Sequence, residues 1–178
     1  MKLLRTIRLD PSDTFVFDTA AEPGEWAVSG GFVFFAADPV ELSGKARAAF
    51  RGGFLGVDSL GWSTLVQVVE ATESDRAAMI EKLARQLVEK FGAPDLATAH
   101  AAAEEEVAFA ASLTDHALAT LIAVHRVREH GAIRETFRTL RPREGQQNLR
   151  AFAFMDVEGD DEPSETVDLV GLAQGERT

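Results

Sequence analysis

The chain has 178 residues, of which 46% are hydrophobic and 26% charged, and a formal net charge of −11; this is the composition of one ordinary globular domain with a sizeable core. The absence of cysteine excludes disulfides, thiolate nucleophiles, iron–sulfur clusters and thiolate zinc sites, and the absence of tyrosine removes the phenol as acid or ligand. The acidic balance argues against nucleic acid or an anionic membrane as partner.

In chain order, MKLLRTIRLD offers only Leu3 and Leu4 before Arg5, too short an apolar run for a secretory segment. No later stretch approaches a membrane span, so a cytoplasmic location is expected. Residues 2–9 alternate as a strand, DPSD is a turn, and TFVFD at 14–18 resumes an extended pattern. AEPGE is a second turn. WAVSGGFVFF at 26–35 reads as an aromatic strand whose Gly-Gly marks a bulge or a close backbone contact. From Ser43, as N-cap, GKARAAFR makes two helical turns ending at Gly52 and Gly53.

The glycine-rich FRGGFLGVDSLGW at 50–62 invites comparison with a phosphate cradle or a nucleophile turn. A cradle opens a helix, whereas this segment leads into WSTLVQVVEAT, whose Val66, Val68 and Val69 favour a strand. A nucleophile elbow needs G-x-S-x-G between strand and helix, and VDSLG has Val57 in place of the first glycine. Turns and tight packing are the expected use of these glycines.

Thr72 and Asp75 have capping-box spacing ahead of a helix through Phe91, with Ile80, Leu83, Leu87 and Phe91 as its apolar stripe. Glu81, Arg85 and Glu89 form an exposed ladder, and Gly92 and Pro94 end the helix. Residues 95–113 make an alanine-rich second helix with a small-residue face of Leu96, Ala99, Ala103, Val107 and Ala110. Beyond Asp115, β-branched residues on both sides of His130-Gly131 indicate a long hairpin turning there. The alternative is a helix from Asp115 capped by Gly131. LRAFAFMDV at 149–157 reads as a later strand, residues 156–168 as an acidic turn-rich segment, TVDLVGL as a last short strand and 173–178 as a flexible tail.

FRGGFLGVDSLGWSTLVQ and VHRVREHGAIRETFRTLRP resemble a family of small bacterial proteins known only as a domain of unknown function. The resemblance spans nearly the whole chain. It implies one compact domain of bacterial, cytoplasmic origin and carries no catalytic residue.

Two constellations bear on chemistry. His100 and Glu104 lie one helical turn apart, but a metal wants three or more ligands, and His116 falls on a different face. Glu104, Glu105 and Glu106 read more simply as a solvated patch. No metal and no cofactor are therefore expected. In the hairpin, a turn at His130-Gly131 sets Val124 opposite Phe137, Arg126 opposite Glu135 and His125 opposite Thr136. Ile122, Val124, Ile133 and Phe137 then face the core. The other face carries His125 and Thr136 with Arg134 and Arg138 diagonal, which suits a carboxylate or phosphate if neighbouring acids leave the guanidinium groups free.

The charge is distributed unevenly. Residues 151–178 hold eight acids and one base, while seven arginines fall between Arg126 and Arg150. The acidic segment is expected to lie against the arginine-rich stretch.

These readings give an α+β domain over residues 1–178, an antiparallel, curved β-sheet packed against two main helices plus a short helix. The leading functional expectation is a noncatalytic accessory or binding protein acting through self-association, most simply as a dimer, or through a protein partner. The alternatives are an enzyme or sensor binding a small anion at His125, Arg134, Thr136 and Arg138, and a purely structural oligomer.

Overall fold

The computed structural model describes residues 1–38, 40–142 and 155–158. The chain opens with strand β1 (Lys2–Ile7) and one helical turn, α1 (Asp13–Val16). Strand β2 (Ala27–Val28), a 3-10 turn at Gly31–Phe34 and helix α2 (Gly44–Gly52) follow. Next come β3 (Phe54–Gly56), β4 (Trp62–Ser63) and β5 (Leu65–Glu70). The two long helices are α3 (Glu73–Phe91) and α4 (Leu96–Ser112). Strands β6 (Leu121–Glu129), β7 (Ala132–Pro142) and β8 (Met155–Glu158) complete the described chain. One antiparallel sheet runs β1-β5-β6-β7-β8, and a smaller one runs β2-β3-β4. The α+β class therefore holds. No helix among the described residues is long and apolar enough to cross a membrane.

Period-two patterning sets the large sheet. Leu4, Thr6, Val66, Val68, Ile122 and Val124 share its buried face, because Leu4 pairs Val68, Thr6 pairs Val66, and Val66 pairs Ile122. α3 and α4 supply the opposing layer through Met79, Ile80, Leu83, Leu87 and the small-residue face of α4. Burying a leucine such as Leu83 stabilises by roughly 1.5–3 kcal/mol. Both halves of the expected capping box form at α3: Asp75 N–H donates to Thr72 Oγ1 at 3.1 Å, and Thr72 N–H to Asp75 Oδ2 at 2.9 Å. Gly92 ends that helix at φ +74°, which glycine adopts without strain. Ala99, Ala103, Val107 and Ala110 are fully buried inside the chain, so this face is not free to receive a second copy.

The hairpin forms with the expected register, His125 opposite Thr136, and both turn residues have positive φ, +50° at His130 and +81° at Gly131. Such a two-residue turn matches the twist of the flanking strands. The helical alternative from Asp115 is thereby excluded.

Two early expectations are corrected. Residues 14–18 are not extended: α1 forms there because Asp13, buried, accepts hydrogen bonds from Thr64 N–H and Oγ1 at 3.1 and 2.6 Å, while Phe17 drops into a second, smaller core. Residues 26–35 hold only a two-residue strand. Gly30 turns left-handed at φ +79°, and the 3-10 turn swings Phe34 against Phe50 and Trp62 at ring separations of 5.3 and 5.2 Å.

The glycines of 50–62 serve close packing. A Cβ on Gly61 would sit 2.6 Å from the Ala20 backbone, and one on Gly56 2.7 Å from Glu25 Oε2. The turn between them does cradle an oxyanion, but one from its own chain: Asp58 and Ser59 N–H donate to Glu25 Oε2 at 2.9 and 2.8 Å. Strand β8 pairs with β7, setting Asp156 opposite Arg141, which brings the start of the acidic segment to the arginine-bearing hairpin. The remainder of that segment, the expected strand at 166–172 and the tail at 173–178 lie outside the described residues.

Candidate functional site

Following Ile122 and Val124, the next inward position of β6 is Arg126, and its side chain is completely buried. A buried guanidinium has five N–H donors to satisfy, and the fold supplies acceptors around it. Nε donates to Glu135 Oε1 at 2.5 Å across the hairpin. Nη1 donates to the carbonyls of Gly53 at 2.7 Å and Phe50 at 3.2 Å, at the C-terminus of α2. Nη2 donates to the Ser29 carbonyl and, at 3.1 Å, to Ser29 Oγ. A cation is favoured at that helix end, where unpaired carbonyls and the dipole concentrate negative charge. Burial presses the guanidinium pKa down, and the hydrogen bond and charge of Glu135 oppose it.

Glu135 is held as firmly. Besides Arg126 it accepts a hydrogen bond from Ser29 Oγ. The 3-10 turn closes directly over it, since a Cβ on Gly31 would lie 2.8 Å from Glu135 Oε1. Glycine is needed here for proximity rather than for an unusual backbone angle.

A cleft of about 240 Å³ opens beside this pair. Phe32, Phe35, Phe109 and Ile133 give it apolar walls, and Glu106 and Glu135 make it acidic. Phe32 is steadied by an edge-on contact with Phe91 at 5.4 Å, and Phe109 by Phe137 at 5.8 Å. Glu106 projects from α4. Burial raises its pKa from 4.5 to about 7; the negative charge of Glu135 and, more weakly, of Glu105 adds to this, and Arg126 opposes it. The cleft thus combines aromatic faces, one carboxylate paired with Arg126 and one carboxyl whose pKa is raised toward neutrality.

The four residues proposed from sequence as an anion site share the outer face of the hairpin. His125 stands opposite Thr136, Arg138 opposite Ala123, and Arg134 opposite Val127, all four exposed. Arg134 donates to Glu129 Oε2 at 2.7 Å. His100 and Glu104 lie on the exposed face of α4, with Glu104 3.8 Å from Arg76. Among the described residues no three His, Asp or Glu side chains gather as a metal set.

Sequence reasoning missed the inner cluster although the signal was present. The register that set Arg126 against Glu135 also put both on the face of Val124 and Phe137. Glu106 was hidden within an acidic triplet, of which Glu104 and Glu105 are exposed and only Glu106 turns toward the cleft.

Residues 1–159 match a family model described as a family of unknown function (DUF6505). No curated protein and no solved structure matches the chain.

Proposed function

The chain belongs to this family of unknown function, and from its cleft we propose that it is a noncatalytic binding protein that captures a cationic side chain, lysine or arginine, of a protein partner. The observation that carries this reading is the pairing of two carboxylates with three phenylalanine rings in one small cleft. Cations are stabilised over aromatic faces by about 0.5–2 kcal/mol and more strongly by partly desolvated carboxylates. The guanidinium beside Glu135, that of Arg126, is already committed to it. At about 240 Å³ the cleft is smaller than a drug-sized ligand pocket and suits one side chain. The net charge of −11 steers a basic partner toward the protein. Self-association belongs to the same proposal only through the sheet edges, because the small-residue face of α4 is consumed in the core.

The test is calorimetric titration with blocked lysine and arginine amides, using the blocked norleucine amide as the uncharged control. Binding should require the cation and should strengthen about tenfold from pH 6 to pH 8, as Glu106 ionises. Glu106→Gln should abolish the pH dependence. Equal affinity for the norleucine amide would overturn the reading, and chemical turnover of a bound amide would replace it with an enzymatic one.

A second reading places a small anion on the outer hairpin face at His125, Arg134, Thr136 and Arg138. The cross-strand pairing of His125 with Thr136 favours it. The Arg134–Glu129 ion pair competes with it.

A further inference from the structure

A second concavity, of about 260 Å³, lies between α2 and β6. Arg47 and Arg51 line it from α2, and Arg126 and Arg128 from β6, with Phe50 and Val40 as its apolar side chains. Among the described residues no carboxylate lines it, in a chain whose net charge is −11.

Among the described residues only Arg126 has its charge matched, by Glu135. Arg128 donates Nη2 to the carbonyls of Phe34 and Ala37 at 2.9 and 2.8 Å, and its Nε is buried without a hydrogen-bond partner among the described residues. Arg47 uses Nε on the Leu42 carbonyl at 2.8 Å. Arg51 makes no hydrogen bond or ion pair among the described residues. Carbonyl partners orient guanidinium groups but do not cancel their charge, so three like charges border one small space. The carbonyls ending α2, which would repel an anion, are already covered by Arg126 Nη1. The arrangement attracts negative charge and leaves planar, forked donors to meet it.

We propose that this groove binds a small oxyanion, a phosphate monoester or a carboxylate, whose oxygens are gripped by Arg47 and Arg51 and whose apolar portion lies against Phe50 and Val40. The site shares no residue with the aromatic cleft and does not depend on the cation reading.

The experiment follows amide chemical shifts and melting temperature of the full chain with phenyl phosphate, benzoate and inorganic phosphate, against chloride at matched ionic strength. Phenyl phosphate or benzoate should bind more tightly than inorganic phosphate, because only they use these apolar side chains, and the stronger of the two identifies the oxyanion. R47Q/R51Q should weaken that binding at least about tenfold, since charge-assisted hydrogen bonds are lost. R51Q alone, at an exposed position with no partner among the described residues, should weaken it severalfold without lowering the melting temperature of the free protein. R134Q/R138Q should leave it unchanged. A response no larger than that of chloride, or one retained in R47Q/R51Q, overturns the proposal. Loss of binding in R134Q/R138Q would instead move the oxyanion to the outer face of the hairpin.

Discussion

The β6–β7 hairpin carries two arginine–glutamate pairs of similar length on opposite faces, and they have opposite physical meanings. On the outer face Arg134 meets Glu129 at 2.7 Å with side chains 68% and 48% exposed. On the inner face Arg126 meets Glu135 at 2.5 Å with exposures of 0% and 16%. The outer pair remains hydrated and screened by salt, so its contribution is about 0–1 kcal/mol. The inner pair gave up its water, and each partner now depends on the other and on the carbonyls and hydroxyl around them. Burial, rather than the identity or spacing of the charges, separates an incidental surface contact from a structural keystone.

The largest test of this contrast is Arg126→Met, which leaves Glu135 beside a cleft without its counter-charge and strips the α2 carbonyls of their donor. A loss of about 3–5 kcal/mol is expected by urea denaturation. Arg126→Met combined with Glu135→Leu should recover much of that loss, because no uncompensated charge remains. A loss below about 1 kcal/mol in the single variant would put the inner pair in the same class as the outer one.

An intermediate effect belongs to Glu106, which feels the inner pair without bonding to it. Its folded-state pKa is raised to about 7 from 4.5, so between those values the folded protein holds a proton that the unfolded chain has released. Stability should therefore fall as pH rises through this window and level off above it. Relative to Glu106→Gln, the decline should be about 2 kcal/mol, reflecting ~1.4 kcal/mol per pH unit reduced by partial solvent screening. Parallel pH profiles for the two proteins would show that Glu106 titrates as an ordinary surface carboxyl. The smallest effect is reserved for Arg134→Ala. Less than about 1 kcal/mol should be lost at low salt, and the difference should disappear in roughly 0.5 M sodium chloride. A larger, salt-insensitive loss would erase the contrast from the other side.

What the sequence made legible was local and periodic. The capping box of α3, the buried face of α4 and the hairpin register follow from spacings of three, four and two residues, which local backbone geometry enforces. What it hid were partnerships made across the chain. The helical turn at Asp13 depends on Thr64, the 3-10 turn on the fit of Phe34 to Phe50 and Trp62, and the cradle of the glycine segment on Glu25. The aromatic cleft needs residues from α4, β7 and the 3-10 turn, which no linear pattern joins. Arg126 is the instructive middle case. Its register was readable, but a charged residue on an apolar face looks anomalous until its acceptors are in place.

Those acceptors have a temporal consequence. Apart from Glu135, Arg126 bonds to residues 73 to 97 positions earlier in the chain. Its water cannot be withdrawn until β2, the end of α2 and the hairpin have all come together, since before then nothing replaces it. If desolvation of the guanidinium waits for all three, the interaction is completed on the native side of the folding barrier, where it changes the rate of escape far more than the rate of arrival. Arg126 would then be a latch in time, and Arg126→Met is expected to speed unfolding far more than it slows folding.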